Sequence, residues 1–159
     1  MDSGKDPEIL IKIPIIWRRN RKNDDREFTM KQEDDTMIHF VGAGSGAPDL
    51  ITVRGQGFLR EADVVIYAGS LVNPELLKEA KPGCEILNSA YMTLDEVIDA
   101  MEKAEEAGKM TVRLHTGDPS IYGAIREQMD RLDKKKIAYD VCPGVSSFCG
   151  AASSLHAEL

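Results

Sequence analysis

Ile38-His39-Phe40-Val41-Gly42-Ala43-Gly44-Ser45-Gly46-Ala47-Pro48-Asp49 is the stretch on which the fold of this chain turns. Ile38, Phe40 and Val41 make a short apolar run that ends in closely spaced glycines, the pattern of a strand feeding a tight turn. The spacing from Gly42 to Ala47 satisfies G-x-G-x-x-G/A, so a dinucleotide site has to be weighed. Two features count against it. Pro48 and Asp49 stand where the phosphate-binding helix should already be running, and proline inside a helix removes a hydrogen bond and clashes. The second strand runs into Tyr67-Ala68-Gly69-Ser70, with no Asp or Glu to hold a ribose hydroxyl.

Downstream the pattern alternates. Thr52 to Ala62 reads as a helix weakened by Gly55 and Gly57, and Asp63-Val64-Val65-Ile66-Tyr67 as a buried strand. Asn73-Pro74 opens a short helix, with Asn as cap and Pro at the first turn, where its missing N–H costs nothing. Glu85 to Leu87 fits a third strand. Thr93-Leu94-Asp95-Glu96 is a capping box, and behind it Leu94, Val97, Ile98, Met101 and Ala104 share one helical face. Met110 to His115 is a fourth strand. Ile121, Ile125, Met129 and Leu132 give another amphipathic helix, closed by Lys134-Lys135-Lys136 at the end that favours cations. Tyr139 to Cys142 is the fifth strand, and Ser146 to about His156 a helix of small residues. Strand and helix alternate, so the expected fold is α/β: one three-layer domain with a mainly parallel, five-stranded sheet.

The patterned region spans Met37 to Leu159, and residues 1–36 differ from it. Charged residues and Asn dominate there without periodicity, so a disordered, solvated extension is expected. The basic run Trp17 to Lys22 is followed at once by Asp24, Asp25 and Glu27. With 159 residues, 42% hydrophobic and 30% charged, the chain suits one soluble domain rather than two. A net charge of -7 disfavours binding to nucleic acid or to an anionic membrane surface. The apolar stretch from Ile9 to Ile16 is broken by Lys12 and Pro14, and is far short of the roughly 20 residues that span a bilayer. Cys84, Cys142 and Cys149 form no C-x-x-C pair, which suits reduced thiols in a cytoplasmic protein. His39, His115 and His156 are too dispersed to argue for a metal site.

The strand-end turns, taken together, resemble those of the tetrapyrrole methylase family. Val41 to Thr52 resembles its opening loop, and Ala62 to Tyr67 its second strand. His115-Thr116-Gly117-Asp118-Pro119-Ser120-Ile121-Tyr122-Gly123 and Pro143-Gly144-Val145-Ser146-Ser147 resemble its two cofactor-contacting turns. Within the family, Tyr67 to Pro74 and the stretch Thr116 to Gly123 look like the members that methylate precorrin-4, or its cobalt form, at carbon 11 in cobalamin biosynthesis. Where many relatives carry Gly-Pro-Gly-Asp in the opening loop, this chain has Gly44-Ser45-Gly46-Ala47.

The resemblance implies the N-terminal half of a two-domain enzyme that binds S-adenosylmethionine between its domains and is typically a homodimer. It assigns cofactor contacts to Ser45, Thr116, Gly117, Asp118, Ile121, Ser146 and Ser147, and points to His115 and Tyr122 as substrate-side residues. The residue types suit such roles. Gly117 admits close backbone approach, Asp118 offers an acceptor to a cationic ligand, and Ser120 can cap the following helix. Ser146 and Ser147 place hydroxyl and N–H groups at a helix start. Methyl transfer from a sulfonium needs alignment more than a nucleophile, in keeping with the lack of a triad or metal cluster in the sequence. No residue stands out as the proton acceptor. The alternative is a catalytically incomplete half that pairs with a separate C-terminal domain through the apolar helix after Ser147.

Overall fold

Successive side chains of a strand point to opposite faces, and a parallel sheet needs cover on both. The protein's computed structural model, which describes residues 37–158, meets that need with five strands. They are β1 (Ile38–Gly42), β2 (Val64–Tyr67), β3 (Glu85–Asn88), β4 (Thr111–His115) and β5 (Tyr139–Cys142), all parallel, in the order β3-β2-β4-β1-β5. The expected extension, residues 1–36, lies outside the described residues.

Alternation sorts the sheet into two cores. Val41, Val65, Val112, Leu114 and Cys142 face one way and pack with Leu59 of helix α1 (Val53–Glu61) and Leu76 of the 3-10 segment Pro74–Glu79. Ile38, Phe40, Val64 and Ile66 face the other way. They meet Val97, Ile98 and Met101 of α2 (Leu94–Glu106) and Leu132 of α3 (Ile125–Lys135). Connections that run from β1 towards β3 therefore cross one face, and those that return to β4 and β5 cross the other. This is a doubly wound sheet with a topological switch between β1 and β4. A last helix, α4 (Ser147–Ser154), follows β5 and buries none of its residues.

Local chemistry sets most of the boundaries. Thr52 caps α1 by accepting the Gly55 N–H at 3.1 Å, and Asn73 caps the 3-10 segment through Glu75 N–H at 3.0 Å. The capping box is present: Thr93 Oγ1 accepts from Glu96 N–H, and a Glu96 carboxylate oxygen accepts from Thr93 N–H at 2.7 Å. That backbone bond, joined by one the Thr93 hydroxyl donates to the same carboxylate oxygen at 2.9 Å, holds the Glu96 carboxyl below the usual glutamate range.

One boundary differs from the sequence reading. α3 begins at Ile125, so Ile121 lies outside it, and Ser120 does not cap it. Asp118 Oδ1 captures the Ser120 N–H at 2.8 Å, and the Asp118 carbonyl accepts the Ile121 N–H at 3.1 Å, closing a separate turn. The cap position falls on Ala124, which is left-handed at φ 51 and makes no side-chain cap.

Thr93→Ala removes one half of an exposed capping box and should lower stability by about 1 kcal/mol. A chemical-denaturation midpoint unchanged from the parent would show that α2 does not depend on its cap.

Candidate functional site

The register places Gly42 beside His115 and Val41 beside Cys142, so β4, β1 and β5 end together. Their turns then meet backbone to backbone. Gly44 and Gly117 form an antiparallel bridge, with Gly117 N–H donating to Gly44 O at 2.8 Å and Gly44 N–H to Gly117 O at 3.3 Å. A Cβ on Gly42 would lie 2.6 Å from both the Gly117 carbonyl oxygen and the Gly144 Cα. One on Gly144 would press into the same carbonyl oxygen and lie 2.8 Å from the Gly42 Cα. Only glycine fits there.

Asp118 ties the junction further. Its Oδ1 holds Ser120 N–H, and its Oδ2 accepts the Gly144 N–H at 3.0 Å, so one carboxylate spans the β4 and β5 turns. Thr52 Oγ1 lies 3.5 Å from the Pro143 carbonyl and joins the start of α1 to the β5 turn. Asn73 Nδ2 donates to the Gly46 carbonyl at 2.8 Å and fixes the opening loop from the far side. Sequence reasoning placed Asn73 as a cap only, and Thr52 as the first residue of a helix. Their second partners are distant in the chain, and no local pattern reports them.

Beside the junction, the opening loop and α4 enclose a groove of about 380 Å³, lined by Ser45, Ala47 and Leu50 on one side and Ser147, Gly150, Ala151 and Ser154 on the other. Drug-sized ligands occupy pockets of roughly 300–1,000 Å³, so the groove is an adequate wall for one. A second groove, of about 340 Å³ beside β3 and α2, is lined by Glu85, Glu96, Asp99, Lys103 and Lys109 around Leu87 and Ala100.

Of the residues expected at the site, Ser45 and Ser147 reach the groove, and Thr116, Gly117 and Asp118 form the adjoining β4 turn. Gly117 is buried at φ 63, a left-handed position that favours glycine. Ser146 differs from expectation: it is 7% exposed and makes no side-chain cap, so its hydroxyl is not presented at the helix start. Ile121 is exposed. Tyr122 is exposed entirely and left-handed at φ 55, an uncommon backbone for a bulky residue.

His115 corrects the substrate-side expectation. Its ring is 4% exposed, turned into the α2–α3 core with its centroid 6.1 Å from that of Phe40, and so does not open onto the strand-end surface. Nε2 has no hydrogen-bond partner among the described residues. Burial, reinforced by the Arg113 charge, pushes its pKa down to about 3, so the ring is neutral at neutral pH. His39 sits on the opposite face, its Nδ1 2.6 Å from Asp140 Oδ1 and its ring stacked on Phe58 at 3.9 Å. That is a structural histidine with both a hydrogen-bond partner and a stacking partner.

Most exposed large apolar side chains come from segments that follow the strands: Val53, Leu71, Tyr91, Tyr122, Phe148 and Leu155. Cys84, Cys142 and Cys149 are free thiols, and no cluster of metal-ligating side chains occurs among the described residues. No described helix is long and apolar enough to cross a membrane.

A doubly wound α/β sheet with a glycine-built crevice at its switch point defines a class of small-ligand-binding domain. The family model for Tetrapyrrole (Corrin/Porphyrin) Methylases matches residues 37–159, and the chain belongs to that family. It is 55% identical over 127 residues to a cobalt-precorrin-4 C(11)-methyltransferase of Methanocaldococcus jannaschii, covering 80% of this chain and 49% of that protein. It is 51% identical to a precorrin-4 C(11)-methyltransferase of a Sinorhizobium species, covering 77% of this chain and 48% of that one. A solved cobalt precorrin-4 methyltransferase superposes with a TM-score of 0.77 at 45% identity, over 82% of this chain and 54% of that one. A Thermus thermophilus uroporphyrin-III C-methyltransferase, solved with S-adenosylhomocysteine, gives 0.62 at 31% identity over 73% and 48% of the two chains. The chain thus spans about half the length of these relatives.

Two consequences are measurable. Gly144→Ala forces a methyl group into the Gly117 carbonyl and should cost about 1–3 kcal/mol as the β4 and β5 turns separate. Gly57→Ala, where nothing lies within 4 Å and φ is likewise not positive, controls for the glycine-to-alanine change without a close contact. Equal losses in the two would refute the close-contact account.

The second concerns pH. Because the folded pKa of His115 lies below the ordinary value near 6.5, the unfolded chain binds the extra proton between those limits. The stability it contributes is present above about pH 6.5 and is lost as pH falls towards 3. Between about pH 7 and pH 5 the loss should be about 2 kcal/mol, and His115→Gln should remove that part of the pH dependence. Parallel pH profiles for parent and variant would show the ring titrating normally.

Proposed function

We propose that this chain is the N-terminal, S-adenosylmethionine-binding half of a C-methyltransferase of cobalamin biosynthesis, acting on cobalt-precorrin-4 or precorrin-4 at carbon 11. The observation that carries the reading is the junction of Gly42, Gly117 and Gly144 beside the Ser45–Ser147 groove. It packs three strand-end turns main chain against main chain at the switch point where a ligand of this fold sits, with the Ser45 and Ser147 hydroxyls beside it. The names and identities of the relatives support the substrate.

The residues present fit the cofactor. Ser45 and Ser147 bring hydroxyls to the groove, and α4 starts with N–H groups that Ser146 does not cap. Thr116 and Gly117 offer a turn that a ligand can approach closely, and Ile121 supplies an exposed apolar contact beside it. When bound, S-adenosylmethionine supplies an electrophilic methyl group with a neutral thioether as leaving group. The residues of this chain therefore bind, orient and exclude water, holding the reacting atoms in line. Asp118 acts largely through the turns it fixes, since both of its oxygens already accept backbone N–H groups.

A second reading, a binding half that works only with a partner, draws on the apolar side chains at the carboxyl ends of the strands. A C-terminal half or a second copy would cover them, as contiguous exposed apolar surface marks interaction sites. Domain limits at 37–159, cytoplasmic location with reduced thiols, and homodimer formation all belong to this proposal.

Calorimetry with S-adenosylhomocysteine tests it. The chain should bind weakly, and Asp118→Ala should lose about 1–3 kcal/mol of binding. It should bind more tightly, and methylate precorrin-4, only when a C-terminal half is added. Absence of binding both alone and with that half would overturn the cofactor reading. Turnover by the chain alone would overturn the need for a partner.

A further inference from the structure

Arg113 occupies a place where arginine is rare. It lies in β4, flanked on both sides by β2 and β1, and is 6% exposed. Its hydrogen bonds go to neutral acceptors: Nη1 donates to the Ile66 carbonyl and Nε to Gln128 Oε1, each at 3.1 Å. Burial lowers its pKa to about 10, which leaves it charged at neutral pH. A buried cation held by neutral partners is weak as a source of stability, since apolar residues of similar volume commonly do as well or better.

The network does not stop there. Gln128, 5% exposed, donates from Nε2 to the Ala124 carbonyl at 3.3 Å. Ala124 at φ 51 and Tyr122 at φ 55 are both left-handed without being glycine, a strained backbone for residues that carry a Cβ. Between them Gly123 is pressed against Pro119, where no Cβ would fit. Strain of this kind persists only where the surroundings over-determine it.

We propose that Arg113 and Gln128 are positioning residues for the strand-end turn: Arg113 fixes Gln128, and Gln128 anchors Ala124, so that the left-handed segment holds Ile121 and Tyr122 out at the carboxyl end of the sheet. What those side chains touch rests on the reading given under Proposed function. The anchoring itself does not. Gln128 is the critical member because its amide faces both ways, accepting from the guanidinium and donating to the turn.

That bifunctionality makes the test selective. Gln128→Glu keeps the acceptor for Arg113, and the neighbouring guanidinium keeps the new carboxyl ionised, so the donor to Ala124 is lost. Gln128→Met loses both bonds at similar size. Thermal melting and amide exchange are measured on all three chains. In Gln128→Glu the melting temperature should hold or rise, while the Ser120 and Ile121 amides, bonded to Asp118 in the parent, exchange about tenfold or more faster than α2 amides change. S-adenosylhomocysteine affinity should fall with them. Gln128→Met should lose both stability and protection. Unchanged exchange at Ser120 and Ile121 in Gln128→Glu overturns the proposal, leaving Gln128 a partner for Arg113 alone. Faster exchange in a parent background that binds no S-adenosylhomocysteine upholds the anchoring and removes the cofactor reading.

Discussion

Three chain crossings share a space that holds no side chain, and the rest of the molecule is arranged around that fact. Gly42, Gly117 and Gly144 leave β1, β4 and β5 at the same level because the register aligns the three strand ends. The parallel order β4-β1-β5, the face-crossing helices and the Asp118 clamp all serve the same contact. A Cβ at either Gly42 or Gly144 would separate turns that otherwise bond to each other. What remains is main chain packed on main chain, held in place at the switch point of the sheet. Polar backbone fixed in place costs nothing to reorganise when a ligand arrives, which is the advantage of building a site this way.

Central strand β4 divides its labour by face. Val112 and Leu114 are ordinary core on the α1 side. Thr111, Arg113 and His115 point to the α2–α3 side, all buried, and two of them leave a polar atom without a partner. Only Arg113 is hydrogen-bonded outward, through Gln128, into the turn. The contrast between the two histidines follows from the same geometry. His39 lies opposite Asp140 across paired strands, whereas His115 meets Phe40 and a positive charge.

Local signals in the sequence were strong enough to read the elements. The run ending at Gly42, the Asn73-Pro74 start and the Thr93–Glu96 box each depend on neighbours within a few residues, and each appears where the pattern put it. The family followed from the turns considered as a set. What could not be read was competition from afar. Ser120 looked like a cap, but Asp118 takes its N–H and also reaches Gly144, which is 26 residues away. His115 looked like a residue facing the crevice because it precedes the turn, yet strand alternation sends it into the core. Arg113 carried a signal that was available and unused: a charged residue in the middle of a strand buried on both faces is anomalous by itself. Its partner, Gln128, is visible only once α3 is laid over the sheet.

Helix α4 stands apart in how it is held. It buries no residue, and its contact with the opening loop rests on Gly150 lying against Ser45. Elements with little buried apolar surface open locally far more readily than the sheet they border. One wall of the Ser45–Ser147 groove therefore rests on an element with no buried residue, while the other is braced by Asn73 and the glycine junction. A shift of this one eight-residue helix would change the width of the crevice with every strand still in register. The groove is thus built as a clasp rather than a mould, one jaw braced and the other held by few contacts.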